Sequence, residues 1–297
     1  MSDTTASLRR QIAGAGELQS VVCTMKAVAA SSIGQYEKSV RALDDYYRTV
    51  ELGLGACFRE GGPAPLIRER KRQTDAGKIG AGVFGSDQGL VGQFNDVIAD
   101  YAIETLAALS GKPQVWAVGE RVHARLEDAN LSLMGLFTVP NSVRAITPLV
   151  GQIQIESEAH NLKDDIACVY VFHNRPQSGA LYEPVGQRLL PLDAQWQEGL
   201  VKVRWPTANL PEAMGRRTGV LRALIREYLF ISLFRACAES LASENASRLA
   251  AMQRASKNIG ELQEDLTRAF HRLRQNGIDE ELFDVISGFE ALSAKEQ

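Results

Sequence analysis

The chain has 297 residues, 45% of them hydrophobic and 23% charged, with a formal net charge of -3. That balance suits one large folded domain or two modest ones, and excludes both a disordered chain and a globally basic nucleic-acid surface. No run of 18 apolar residues occurs, and the most apolar stretch, Tyr228 to Ala238, is interrupted by Arg235 and too short to span a bilayer.

In chain order, the twin arginines Arg9-Arg10 come first, but Gln11 to Gln19 carries glycines and Glu17 where an export signal has an apolar core. The chain is therefore expected to stay in the cytoplasm. From about Asp3 to Phe58 the apolar residues Met25, Ala29, Ile33, Tyr36, Val40, Leu43, Tyr47, Val50 and Leu54 recur in steps of three or four, which predicts one long helix. At about 1.5 Å per residue it would run roughly 84 Å, deeper than any single compact core. Such a helix needs a partner along its apolar stripe.

Arg59 to Gly77, with its prolines, glycines and the Arg68-Glu-Arg-Lys-Arg72 charge run, reads as a solvated linker. The middle then alternates. Lys78–Gly85, Gln114–Val118, Leu133–Thr138 and Ile166–His173 read as strands; Phe94–Leu109, Glu120–Ala129 and Val143–Ala159 read as the intervening helices. That order predicts a small, mostly parallel α/β domain.

All ten prolines lie between Pro63 and Pro211, so both ends are free of the strongest helix breaker. From Pro211 the pattern Leu221, Leu224, Tyr228, Ile231, Ala238, Leu241 continues through Met252, Ile259, Leu262, Leu266 and Leu273 to Ile278, Leu282, Ile286 and Phe289. Two proline-free helical ends most simply pair antiparallel. The expected fold is α/β: a long antiparallel coiled coil of the N- and C-terminal helices with an inserted doubly wound, Rossmann-like domain. Its divisions are 1–58 (first long helix), 59–77 (linker), 78–210 (α/β domain) and 211–297 (last long helix). If the helices meet at a base between Phe58 and Glu212, the numbers of facing residues total about 270, to within roughly seven. Met25 then falls beside Ala242 to Met252, Lys26 near the Glu244–Arg248 turn, and nothing in the first helix reaches Ile278. Seam positions are often small or polar, and Gly14, Gly16, Gly34, Gly260 and Gly277 each cost about 1 kcal/mol against Ala within a helix. Something beyond the pairing must hold these helices.

The candidate chemistry is sparse. Gly80, Gly82 and Gly85 spell a dinucleotide fingerprint, yet they fall inside the first strand instead of in the turn after it, so a strand packed closely under a helix is the reading taken. The four histidines share no helix face and are expected to be surface or locally hydrogen-bonded side chains. Cys23, Cys57, Cys168 and Cys237 lie far apart, which suits reduced thiols and neither a zinc site nor a disulfide framework. No catalytic, cofactor-binding or metal-binding residue is assigned. Ser86-Asp-Gln-Gly-Leu-Val-Gly-Gln-Phe-Asn95 reads locally as a strand, a glycine turn and a helix with an Asp-type cap.

That segment also resembles the SDRGLCGGFN element of F-type ATP synthase gamma subunits, matching at Ser86, Asp87, Gly89, Leu90, Gly92, Phe94 and Asn95. Three further segments carry the resemblance in the same order: Met25-Lys26-Ala-Val-Ala-Ala-Ser31, Gln187-Arg-Leu-Leu-Pro-Leu192, and the terminus with Arg274, Gln275, Ile278, Glu281 and Ser287-Gly-Phe-Glu-Ala-Leu292. The match runs over nearly the whole chain. It departs at Gln88, Val91, Gln93, Ser32 and Asn276-Gly277. These mark a divergent branch, with an alternative, sodium-coupled F-type enzyme as one reading; the coupling ion, proton or sodium, is not chosen by gamma residues.

The resemblance implies a non-catalytic rotor shaft inside a hexamer of alpha and beta subunits. Its α/β domain would meet an epsilon-type subunit and the membrane c-ring, at the cytoplasmic face of the cell membrane. It implies no cofactor, no nucleic acid and no direct membrane insertion. The expected partner-contact residues are Met25, Lys26, Arg248, Arg274, Gln275, Ile278, Leu282, Ile286 and Phe289. Charge along the last helix is uneven: Arg216 to Arg274 holds 11 basic and 6 acidic residues, Asp279 to Glu296 holds 1 and 6. Two other classes stay open on the sequence: a small-molecule-binding α/β enzyme that dimerises through helical arms, and a static coiled-coil scaffold.

Overall fold

The computed structural model describes residues 4–61, 77–164, 166–177, 180–209, 211 and 216–293. Most of the expected linker and the expected start of the last helix at Glu212 lie outside them. The first helix, α1, spans Thr5–Gly61 and the last, α6, spans Arg217–Ser293. Between them come β1 (Lys78–Phe84), α2 (Phe94–Ala107), β2 (Lys112–Val118), α3 (Glu120–Asp128), β3 (Leu133–Phe137), α4 (Val143–Asp164), β4 (Ile166–Gln177), β5 (Ala180–Leu190) and α5 (Ala194–Lys202). The chain forms two compact units: residues 1–28 with 249–297, and residues 29–248.

In the smaller unit the two long helices pair antiparallel. Leu8, Ala15 and Val22 are buried at a strict step of seven. Ile12, Gln19 and Lys26 alternate with them and are half-buried. On α6 the same step runs through Met252, Ile259, Leu266 and Leu273, interleaved with Ser256, Gln263 and Phe270. A repeat of seven against 3.6 residues per turn winds such a pair left-handed. Gln19 Nε2 donates to Ser256 Oγ at 3.0 Å, and the Arg9 guanidinium lies 5.5 Å from the centre of the Phe270 ring. Lys26, and not Met25, holds the seam position.

In the larger unit the heptad step continues through Ala29, Tyr36, Val50 and Cys57. Tyr46 Oη donates to Glu227 at 2.8 Å, Arg235 pairs with Asp44 at 3.7 Å, and the rings of Tyr47 and Tyr228 lie 6.1 Å apart. Facing residue numbers total 273 to 279 in the two units, a few above the expected 270. The shift carries Met25 to the turn of Met252, the edge of the expected stretch, and sets Lys26 past Arg248, opposite Leu249 to Gln253.

The sheet of the larger unit has the order β3-β2-β1-β4-β5. The first four strands are parallel, and β5 returns antiparallel on β4. Neither β5 nor α5 was expected: β5 is an edge strand interrupted by Pro184 and Gly186, and α5 is only nine residues long. One face of the sheet, through Ile79, Ala81 and Val83, packs on α2 and α3. The other meets α4 and α6 through Phe84, Trp116, Ile146 and Leu233. A third cluster joins Leu54, Phe58 and Cys57 of α1 to Leu221 and Ile231 of α6, with α5 contributing Leu200.

The strand order reverses beside β1, between β2 and β4, and open α/β sheets bind ligands in the crevice beyond the carboxyl ends of the strands at such a point. Here the chain fills that region itself. Ser243 Oγ of α6 donates to the Asn174 carbonyl of β4 at 3.0 Å, and Ser247 Oγ donates to the Val91 carbonyl in the loop after β1 at 2.5 Å. A Cβ built on Gly85 would lie 2.4 Å from Val122, so the third glycine of the fingerprint serves the approach of α3. Isothermal titration of the full chain with ATP, ADP and NAD is expected to give no saturable heat. A micromolar constant would mean that α6 leaves the crevice.

Candidate partner-contact surface and the anchor of the last helix

The motif Ser86–Asn95 is a structural clasp. Asn95 accepts the Ser86 backbone N–H at Oδ1 and donates to Ser86 Oγ from Nδ2, both at 2.9 Å. Asp87 does not cap the helix that follows it. Its Oδ1 accepts the Glu120 N–H at the start of α3, 3.0 Å away, and its Oδ2 accepts the Val139 N–H at 2.9 Å. One carboxylate thus satisfies an orphan donor of a helix terminus and ties down the loop after β3. Leu90 and Gly92 take positive φ in the turn between, which leaves the Leu90 side chain exposed.

A second polar group, which no local pattern announces, anchors α6 to the sheet. His173, just past the part of β4 that pairs with β1, is 2% exposed, and its Nε2 lies 2.8 Å from Glu239 Oε2. Arg175 donates to the same oxygen at 3.1 Å and Arg235 to Oε1 at 2.9 Å. The expectation that every histidine is a surface or locally bonded side chain fails here, because β4 and α6 bring together residues 66 positions apart. Burial alone would raise the Glu239 carboxyl, but the hydrogen bonds from His173 and Arg235 and the charges of His173 and Arg175 outweigh it and hold it at about 2. Glu244, five residues on, goes the other way. Its burial raises the carboxyl more than the 2.6 Å pair with Arg248 lowers it.

The expected contact residues do not gather at one place. Arg248 belongs to the larger unit and is engaged by Glu244. Met25 and Lys26 are half-buried in the smaller unit, while Arg274 and Gln275 are exposed on α6. By the register, Arg274 lies about 22 residues, or about 33 Å, along α6 from the turn that faces Met25. Beyond it the helix has run past the start of α1. Ile278, Leu282, Phe283, Val285 and Ile286 are 45–70% exposed there. The side chain of Phe289 lies outside the described residues. Phe283 and Val285 escaped the sequence reading because they sit off the strict stripe of Ile278, Leu282 and Ile286.

Two long terminal helices in heptad pairing and a doubly wound domain clasped to the second of them define a class of stalk-building subunits. The ATP synthase family model matches residues 4–292, and the chain belongs to that family as a gamma subunit of the F-type enzyme. It is 25% identical over 291 residues to the ATP synthase gamma chain of Dechloromonas aromatica, covering 96% of this chain and 98% of that one. It is 29% identical over 318 residues to the gamma chain of Cyanothece sp., with the same coverage. Among solved structures, a chain of the Euglena gracilis mitochondrial ATP synthase (OSCP/F1/c-ring) is 15% identical with a TM-score of 0.66 over 99% of this chain and 96% of that one. A chain of the Tetrahymena thermophila central stalk and c-ring is 20% identical with a TM-score of 0.54, over 80% of this chain and 99% of that one. No helix among the described residues is long and apolar enough to cross a membrane.

The anchor sets a pH dependence. Glu239 titrates lower in the folded chain than its ordinary 4.5, so its contribution is complete above that value and disappears as pH falls towards about 2. Glu239→Ala strands the buried His173 and is expected to lower stability by about 3 kcal/mol at pH 7, because removing one partner of a buried pair leaves the other uncompensated. Urea unfolding followed by circular dichroism, repeated from pH 7 to pH 3, checks both: the deficit of the variant should shrink as the pH falls.

Proposed function

We propose that this gamma subunit is the turning shaft of its complex, coupling ion flow through a membrane sector to ATP synthesis or hydrolysis on partner beta subunits, and that it makes and breaks no bonds itself. The observation that carries this reading is the apolar stripe from Ile278 to Ile286, exposed on a helix that has outrun its intrachain partner. Contiguous exposed apolar surface marks an interaction site and is otherwise an aggregation liability. A sleeve of alpha and beta subunits would cover it, and an apolar bearing with few directional hydrogen bonds resists rotation least.

The division of labour follows the chain. Residues 1–58 and 211–297 form the shaft, 59–77 link it to the α/β domain, and 78–210 form the foot that meets an epsilon-type subunit and the c-ring. The solved Euglena assembly contains F1, OSCP and a c-ring, which supports F1 and a c-ring as partners. The complex would stand at the cytoplasmic face of the cell membrane. The basic belt from Arg216 to Arg274, with Lys26 and Arg248, faces acidic lever segments of the beta subunits, and an asymmetric shaft biases each beta subunit differently through contact.

Arg274 offers its guanidinium fork to a partner loop, and a charge-assisted hydrogen bond contributes about 1.5–3 kcal/mol. Arg274→Ala should lower ATP turnover or coupled ion pumping of the reconstituted complex while the helix content of the isolated subunit stays unchanged. Failure of the chain to assemble with alpha and beta subunits, or a complex whose turnover does not depend on it, would overturn the shaft reading.

A further inference from the structure

Strand β1 alternates its side chains, so Ile79, Ala81 and Val83 fill one core while Gly80, Gly82 and Phe84 face α4 and α6. Gly82 is near the middle of the central strand of five, paired on both sides to Trp116 and Val171. It is nevertheless partly exposed, and a Cβ built on it would meet no atom within 4 Å. In front of it lies a cavity of about 410 Å³ whose far wall is made by Ile153, Gln154 and Ser157 of α4 and by Leu229 and Leu233 of α6. The space is partly open to solvent, consistent with the partial exposure of Gly82, Gln154 and Ser157. A void of this size is within the range of small-molecule sites, about 300–1,000 Å³.

The lining selects the chemistry. Among the described residues no Asp, Glu, Lys, Arg or His lines the cavity, and most of the described wall is aliphatic or aromatic. A phosphate or carboxylate would be desolvated there without a counter-charge. Two polar side chains stand one helical turn apart on α4. Ser157 Oγ donates to the Gln154 carbonyl at 3.0 Å, and Gln154 Nε2 donates to the Arg226 carbonyl at 3.3 Å. Those bonds leave acceptor lone pairs on Ser157 Oγ and Gln154 Oε1 and a second N–H on Gln154. A hydroxyl, which both donates and accepts, matches that set.

We propose that the cavity between β1, α4 and α6 is a binding site for an uncharged, hydroxyl-bearing apolar molecule, its hydrocarbon body over Gly82 and its hydroxyl at Gln154 and Ser157. The site lies on the face of the sheet, away from the nucleotide crevice that α6 closes, and is independent of the shaft reading.

The test is fluorescence titration of the full chain with the neutral probe N-phenyl-1-naphthylamine, with 1-decanol as competitor. The exposed stripe near Leu282 also attracts such a probe, so the titrations use Leu282→Glu, Phe283→Glu chain as background. Saturable binding displaced by decanol and not by ATP is expected. Gly82→Leu fills the floor of the cavity and should weaken binding about tenfold or more, as should Leu229→Trp from the opposite wall. Circular dichroism establishes that each variant is folded. Equal probe affinity in the background chain and in the folded variants, no saturable binding, or failure of decanol to displace the probe would overturn the site. Loss in Leu229→Trp alone, should Gly82→Leu fail to fold, still supports it.

Discussion

Between Ile231 and Ser247 nearly every residue of α6 is buried, and the helix has no solvent face over about four turns. It is held by α1 on one side and by the sheet on the other, and most of the structure depends on how one helix serves both. Bulky residues all round would push the two partners apart. The segment instead carries Ala236, Cys237, Ala238, Ser240, Ala242 and Ser243, small enough for close approach on either side. Small side chains release little hydrophobic free energy. The difference is supplied by polar groups whose hydrogen bonds are found in place: Ser243 on Asn174, Ser247 on Val91, and Glu239 on His173, Arg175 and Arg235. In a low-dielectric interior such bonds are strong when made and costly when missing, so the arrangement resists both sliding and twisting of α6 against the sheet.

This has a consequence for what the doubly wound domain is for. Seating Ser243 and Ser247 over the end of β4 and the loop after β1 occupies the crevice where that topology takes a nucleotide elsewhere. The motif from Ser86 to Asn95, with its serine, aspartate and glycines, has the composition of a phosphate loop. Its polar atoms are spent on the chain itself: Asp87 on α3 and the loop after β3, Asn95 on Ser86. The domain is thereby clamped to α6, and on the shaft reading that clamp is where force passes between foot and shaft. Cys237, fully enclosed at the same place, has its thiol pushed up by burial and by the nearby Glu244 charge, which makes it a packing residue and not a reactive one.

Much of this was legible in the residues. Proline-free ends with three-and-four spacing announced α1 and α6, and four of the five strands fall where β-branched runs end at glycine or polar turns. Counting rises from the assumed base placed facing residues within a few positions, since both helices climb at the same rate per residue. The offset has the sign expected from α1, which continues to Gly61, three residues past the assumed end at Phe58. Strand β5 escaped because an edge strand tolerates Pro184 and Gly186, which read as breakers. Of the glycine fingerprint, Gly80 and Gly82 lie within β1 as expected, while Gly85 falls just past its end.

What the sequence alone determined are the properties a segment carries by itself: helix or strand, which face is apolar, where a chain of motifs resembles a family. Tertiary structure alone decided the pairings: Glu239 with His173 across 66 positions, Asp87 with an amide 33 positions on, the small-residue stretch of α6 wedged between two partners, and the opening in front of Gly82. The reason is physical. Periodicity records how much of a residue is buried, averaged over its own turn or pleat. The identity of the burying atoms is set by long-range closure, which places distant segments together and leaves no local trace in either.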